Sequence, residues 1–230
     1  MPGYLTMQQT VSVGGIDYLV RSLLDSQQYS DPLGEAEQRG ISPASWSLFG
    51  LLWPSARVLA LLMNSEPLAG LKVLEIGVGL ALASMVIHHR EGDVTVSDWH
   101  PCSPDFLREN LLLNNLSPLE YQSGDWGGNN PALGHFDLII GSDVLYERQQ
   151  PGLLAHFIDR HATGTAEIVI VDPDRGNRTG FCREMTALGY GFNVQRAPRK
   201  MESGEAYKGC IVRLSRQRGQ VTPALQTSRS

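Results

Sequence analysis

The chain has 230 residues, 42 % of them hydrophobic and 19 % charged, with a net charge of −5 at neutral pH. This suits one domain with a real core, excludes a disordered chain, and argues against a nucleic-acid binder, which needs a basic face. Cys102, Cys182 and Cys210 are widely spaced with no metal spacing, and their odd number does not suggest a disulfide framework. With no signal-peptide pattern and no apolar run of ~18 residues, a soluble cytoplasmic protein without a membrane partner is expected.

Met1–Thr10 is polar and expected to be loose. Val11–Val13 and the pair Gly14-Gly15 come next. Ile16, Leu19, Val20, Leu23 and Leu24 then recur at helical spacing, which predicts a helix over 16–24. Asp31–Arg39 reads as a short helix capped by Asp31, with Pro32 in its first turn. Ile41–Trp46 reads as a loop. Residues 1–53 are expected to form an N-terminal extension packed on a domain spanning 54–215. Leu52-Trp53-Pro54 opens a helix over 55–63; Trp53 alone fits an ordinary helix-start anchor as well as a pocket wall.

The stretch 71–87 organises the rest of the chain. Leu71–Ile76 is short, apolar and β-branched, as in a buried parallel strand. Gly77 and Gly79 come next, and Leu80–Ile87 continues as a helix. Strand, glycine turn and helix open a βαβ nucleotide site, where glycines let backbone approach a ligand. A dinucleotide fingerprint would want a third glycine at 82, which is Leu. Glu75, at the strand tip, is costly to bury without partners and is expected to face the ligand. It would repel a pyrophosphate and suit a cation. The next strand, 94–97, ends at Asp98, 19 positions past Gly79, near the ~20 at which a ribose-binding acid is expected. The two acids around the glycines favour a ribose-bearing cation.

Further on, a helix is expected over 104–115, a strand over 119–122 and the turn Gly124-Asp-Trp-Gly127. Asp125 suits an adenine amine as acceptor and Trp126 its ring face, though Asp125 is equally a turn-capping residue. Strand 136–140 leads into Gly141-Ser-Asp-Val-Leu-Tyr146, at the strand end where open α/β sheets bind ligands. A helix over 151–161, a strand over 166–171, a helix over 179–188 and strands over 191–195 and 209–214 complete the pattern. Asp172 and Arg175 read as a local ion pair, and Arg196, Arg199 and Lys200 as a solvated loop. None of the six histidines shows metal spacing. Residues 216–230 read as a disordered polar tail.

Val-Leu-Glu-Ile-Gly-Val-Gly (73–79), Val-Ser-Asp (96–98), Gly-Asp-Trp (124–126) and Asp-Leu-Ile-Ile-Gly-Ser-Asp-Val-Leu-Tyr (137–146) occur in that order. Together they resemble a class I, seven-strand S-adenosylmethionine methyltransferase. The Asp-x-x-Tyr of 143–146, with Leu52-Trp53-Pro54 upstream, resembles the non-SET protein lysine methyltransferases, methyltransferase family 16. The resemblance covers roughly 52–214 and departs at Leu80-Ala81, where relatives carry a small polar residue and a third glycine. It implies a Rossmann-like α/β sheet in strand order 3-2-1-4-5-7-6, the seventh strand antiparallel. It also implies S-adenosylmethionine held by Trp53, Glu75, Gly77, Gly79, Asp98, Trp99, Asp125, Trp126 and Ser142.

The same resemblance gives Asp143 and Tyr146 the methyl acceptor, a lysine of a protein substrate, and implies that the 1–53 extension is a substrate-side cap. Methyl transfer needs the nucleophile in line with the methyl, about 3 Å away, and unprotonated. Asp143 suits orienting an amine rather than acting as a strong base, because a carboxylate stabilises the unreactive ammonium. Taken alone it is equally a strand-tip residue capping a turn. Two other readings stand beside this one. A small-molecule methyltransferase would need a pocket closed by the extension, and a scaffold would bind the cofactor without turnover.

Overall fold

In the computed structural model, which describes residues 3–146, 150–200, 204 and 206–216, Gly14 and Gly15 have φ of 58° and 83°. A two-residue hairpin turn with the right-handed twist of its strands needs this conformation. The turn joins β1 (Thr6–Val13) to β2 (Ile16–Leu23) as an antiparallel pair in which Val13 faces Ile16. The loose N-terminus and the helix over 16–24 are both overturned from Thr6 onward. Tyr18, Val20 and Ser22 are buried on one side of β2 while Leu19 is exposed, a period of two. The apolar set fits two periods, and the Gly-Gly turn decides between them.

The predicted helix over 31–39 is one turn, α1 (Glu35–Gln38), starting at Gly34 rather than Asp31. Asp31 accepts instead from the N–H of Glu37, at 2.9 Å. The expected loop 41–46 contains α2 (Pro43–Trp46), whose first turn is capped by Ser42 Oγ accepting from Ser45 N–H. A 3-10 turn over Ser47–Gly50 and an extended link lead to α3 (Pro54–Ser65). Pro54 opens α3, where its missing N–H costs nothing. Residues 43–65 are together long and apolar enough to cross a membrane, but they are broken into these pieces and half buried inside the protein.

The rest alternates. It runs β3 (Lys72–Ile76), α4 (Leu82–His89), β4 (Asp93–Asp98), α5 (Ser103–Leu113), β5 (Glu120–Ser123), β6 (Phe136–Ser142), α6 (Gln150–His161), β7 (Ala162–Asp172), α7 (Arg178–Ala187), β8 (Tyr190–Arg196) and β9 (Cys210–Arg216). The sheet order is β5-β4-β3-β6-β7-β9-β8, with β9 antiparallel to both neighbours. Counted from β3, this is the order 3-2-1-4-5-7-6 that the resemblance implied. Helix α4 begins two residues later than expected, and β7 begins four earlier. Residues 217–230, most of the expected tail, lie outside the described residues.

Both sheet faces are covered, which is why the central strands read as continuous apolar runs. Val73, Val169 and Val171 pack on the side of α3, α4 and α5. Leu74, Ile76, Ile168 and Ile170 pack on the side of α6 and α7. The alternation leaves Glu75 on the first of these sides, facing α4.

Candidate functional site

A cavity of about 310 Å³ opens at the carboxyl ends of β3, β4 and β6. Gly77 (φ 57°) and Gly79 (φ 51°) form its floor, and Ala81 (φ 63°) closes the same turn. A side chain at Gly77 would sit 2.8 Å from Val144 Cγ1, and one at Gly79 would sit 2.9 Å from the Phe49 carbonyl oxygen. Both glycines are therefore required by conformation and by space. The third position with positive φ is 81, not 82, and an alanine fills it.

Glu75 does not line the cavity, contrary to expectation. It is buried, and Oε2 accepts from Ser84 N–H at 2.8 Å and from the Ser84 hydroxyl. It thus ties the first turn of α4 to the strand in front of the glycine turn. Burial pushes its carboxyl up to about 7, against the hydrogen bonds from Ser84. The sequence correctly signalled a buried acid needing partners; the partners are on the helix rather than on a ligand.

Asp98 lines the cavity and fastens the glycine turn. Oδ2 accepts from Gly79 N–H at 2.9 Å and Oδ1 from His100 N–H at 2.8 Å. Burial raises its carboxyl above the usual range, opposed by these backbone donors. Trp99 lies on the same wall and locks to Arg39. Trp99 Nε1 donates to the Arg39 carbonyl at 2.9 Å, Arg39 Nη1 donates to the Trp99 carbonyl at 2.8 Å, and the guanidinium lies 5.1 Å from the indole centre. His100 is buried and stacked on Phe49 at 3.7 Å. Burial, with Arg39 nearby, lowers its pKa to about 3, so it is neutral. Arg39 and Phe49 belong to the cavity, and sequence reasoning missed both.

Asp125 and Trp126 line the cavity next to Asp98, with Gly124, whose N–H donates to the Asp98 carbonyl at 3.1 Å. Asp125 keeps its structural role as well: Oδ1 accepts from Gly127 N–H at 2.8 Å. Asn130 braces the loop through the Asp125 backbone, at 2.6 Å and 3.1 Å. Trp126 is half-buried and packs on the core beside β6.

Ser142, the last residue of β6, and Asp143 and Tyr146 beyond it lie in the cavity. Asp143 has φ 55°, strained for a residue other than glycine, and its N–H donates to the Val171 carbonyl at 2.9 Å. Arg175 Nη2 donates to its Oδ2 at 3.0 Å, while Oδ1 is buried and has no partner among the described residues. Burial raises the Asp143 carboxyl, Arg175 lowers it and Asp172 raises it further. The Arg175 guanidinium also lies 5.4 Å from the centre of the Trp53 ring, and Trp53 Nε1 donates to the Leu48 carbonyl at 2.9 Å. Arg175 therefore pairs with Asp143 and not with Asp172, whose Oδ1 accepts from Asp174 N–H at 2.8 Å. The only signal in the sequence was its place just past a strand end.

The profile of a family described as lysine methyltransferase matches residues 44–186. Electron transfer flavoprotein beta subunit lysine methyltransferase of Xenopus laevis is 29 % identical over 135 residues, which are 56 % of this chain and 52 % of that protein. Protein N-lysine methyltransferase METTL21A of Xenopus tropicalis is 26 % identical over 136 residues, 55 % of this chain and 62 % of that protein. The chain thus matches about half to three-fifths of the length of these relatives. The solved ribosomal protein L11 methylase of Lactobacillus delbrueckii subsp. bulgaricus shares the fold, with a TM-score of 0.55 at 19 % identity over 69 % of this chain and 77 % of that one.

Proposed function

The chain belongs to the lysine methyltransferase family, and we propose that it transfers a methyl group from S-adenosylmethionine to a lysine side chain of a protein. The observation that carries this reading is the cavity itself. Asp98 and Asp143 both line it, at the ends of the two strands that flank the one leading into Gly77 and Gly79. Two strand spacings separate those acids by roughly 10 Å along the sheet, room for a nucleoside at one end and an acceptor at the other.

The residues present fit the cofactor. The walls are aromatic at Trp53, Trp99 and Trp126, the glycine turn admits close approach, and the acids suit a ligand with hydroxyls and a positive charge. Asp98 accepts from the ribose hydroxyls, and Trp99, Asp125 and Trp126 frame the base. Gly77, Gly79 and Ser142 border the remainder. Glu75 acts from behind by holding the start of α4. When bound, S-adenosylmethionine supplies a methyl already activated on sulfur. The protein's task is then to align a neutral amine with it and exclude water. Asp143 orients that amine through a hydrogen bond, and Tyr146 and Trp53 wall its aliphatic stem. Residues 39–53 contribute Arg39, Leu48, Phe49 and Trp53 to the cavity, which supports the extension as a substrate-side cap.

The test is transfer of labelled methyl from S-adenosylmethionine into an extract of cells lacking this protein. A discrete protein band, lost to protease and mapped by mass spectrometry to a lysine, is expected. Label confined to small molecules, or lost to nuclease, overturns the protein substrate. Tight cofactor binding with no transfer into any fraction overturns the enzymatic reading in favour of a scaffold.

A further inference from the structure

A carboxylate beside the acceptor poses a problem for methyl transfer to an amine. A free lysine has a pKa of about 10.4, and an unopposed negative charge raises it further, so the amine would be held as unreactive ammonium. The surroundings of Asp143 bear on this. Its side chain is 8 % exposed, one oxygen is paired with Arg175 and the other has no donor among the described residues. We infer that Arg175 cancels the charge of Asp143 so that the acceptor binds as the free amine, leaving Oδ1 as the hydrogen-bond acceptor that orients its lone pair. This rests on the methyl-transfer reading above.

Arg175 is held for that purpose from two sides. The carboxylate takes its Nη2 and the Trp53 indole faces its guanidinium. Its neighbours satisfy each other. Arg178 and Arg196 pair with Asp174, at 2.6 Å and 3.1 Å, and Asp172 caps the backbone of Asp174. Among the described residues, the titratable groups acting on Asp143 besides Arg175 are Asp172 and Tyr207. Tyr207 is hydrogen-bonded to Ser55 Oγ at 2.8 Å and burial keeps its phenol protonated, its pKa raised to about 12. Asp172 adds negative charge, so Arg175 is the cation that offsets Asp143. An arginine stays charged at any working pH. An amine donating to Oδ1 therefore meets a neutral pair with a fixed positive charge close by, which favours its deprotonated form. In the reaction, nitrogen bonds to the methyl carbon, the C–S electrons remain on sulfur, and the product ammonium releases its proton to water.

Two probes separate charge from shape: n-butylamine, the lysine side chain without its backbone, and n-butanol. Each is titrated by ligand-observed NMR into protein saturated with S-adenosylhomocysteine, at about pH 8.5, where the amine is a cation. In Arg175→Met the butylammonium ion is expected to bind at least about tenfold tighter than in the unmodified protein, while butanol changes less than about twofold. Arg175→Lys, which keeps the charge, is expected to resemble the unmodified protein, and Arg175→Gln serves if the methionine variant does not fold. With the acceptor protein identified, the pH profile of kcat for Arg175→Met should move to higher pH, because the bound amine then holds its proton longer. Equal affinities for butylammonium, or no binding by either protein, overturn the inference. Failure of the unmodified protein to bind S-adenosylhomocysteine overturns the methyl-transfer reading instead.

Discussion

The carboxamide of Asn110 pairs with both backbone groups of Arg21. Oδ1 accepts from Arg21 N–H at 2.7 Å and Nδ2 donates to the Arg21 carbonyl at 3.2 Å. One helical turn later, Asn114 makes the same pair of bonds to Leu19, at 2.8 Å and 2.7 Å. Two side chains, one in α5 and one at its C-cap, thereby stand in for a third strand along the free edge of β2. Asn110 Nδ2 also reaches the Leu80 carbonyl at 3.2 Å, so one buried side chain joins the hairpin to the glycine turn.

Asn110→Ala is expected to cost about 2–3 kcal/mol in urea unfolding, from three lost hydrogen bonds at roughly 1 kcal/mol each. Asn110→Asp should cost more, since it removes both donors and buries a charge. Hydrogen exchange at the Arg21 and Leu19 amides should quicken in both variants. Unchanged exchange there would mean that the hairpin is held by its apolar face alone.

Of this hairpin only the Gly14-Gly15 turn was legible. Ile16, Leu19, Val20, Leu23 and Leu24 fit a helix by spacing, and only Gly14-Gly15 argued otherwise. Asn110 read as an ordinary helix residue and Asn114 as the helix end, because their partners are about 90 positions away. The sheet was legible, because strands buried on both faces write themselves as apolar runs such as 136–140 and 166–171. The strand-tip acids were legible as residue types, but their partners were not. Glu75 points to α4 and Arg175 reaches across to Asp143, and both depend on which face and which loop the fold brings near.

Glu75 predicts a pH dependence of stability. Its carboxyl lies near 7 in the fold against an ordinary 4.5. The folded protein therefore holds that proton more tightly than the unfolded chain. Its contribution is full below the unfolded pKa and is lost as pH rises through the folded one, by about 3 kcal/mol in total. Thermal melts from about pH 5 to about pH 8 should show a falling Tm, and Glu75→Gln, which still accepts from Ser84 N–H, should flatten that fall. An identical slope in the variant would remove Glu75 as its source.

Ala81 occupies the left-handed region at φ 63° and is buried. An L-residue there costs about 1–2 kcal/mol, partly offset by the greater unfolded-state entropy of glycine. Ala81→Gly should stabilise the protein by about 0.5–1 kcal/mol, read as a higher denaturant midpoint with unchanged slope. Ala81→Val should destabilise it. A glycine variant no more stable than the parent would mean that contacts of the alanine methyl balance the strain.

Asp98 and Asp143 should separate binding from turnover. Both carboxylates line one cavity, but Asp98 grips the Gly79 and His100 amides while Asp143 grips Arg175. Asp98→Ala removes the expected partner of the ribose and loosens the glycine turn. It should weaken S-adenosylhomocysteine binding in calorimetry by about 10- to 100-fold, the value of a charged hydrogen bond. Asp143→Ala leaves that end intact and should change the same affinity by less than about threefold, while methyl transfer falls by about 100-fold or more, the scale of a lost positioning and electrostatic contact. Asp143→Asn distinguishes the two parts of the role. It keeps an acceptor for the amine but leaves Arg175 unopposed, so transfer should recover only in part and the cation should be repelled. If Asp143→Ala weakened the cofactor as much as Asp98→Ala does, the two acids would serve one ligand, and the acceptor would have to be sought on another wall of the cavity.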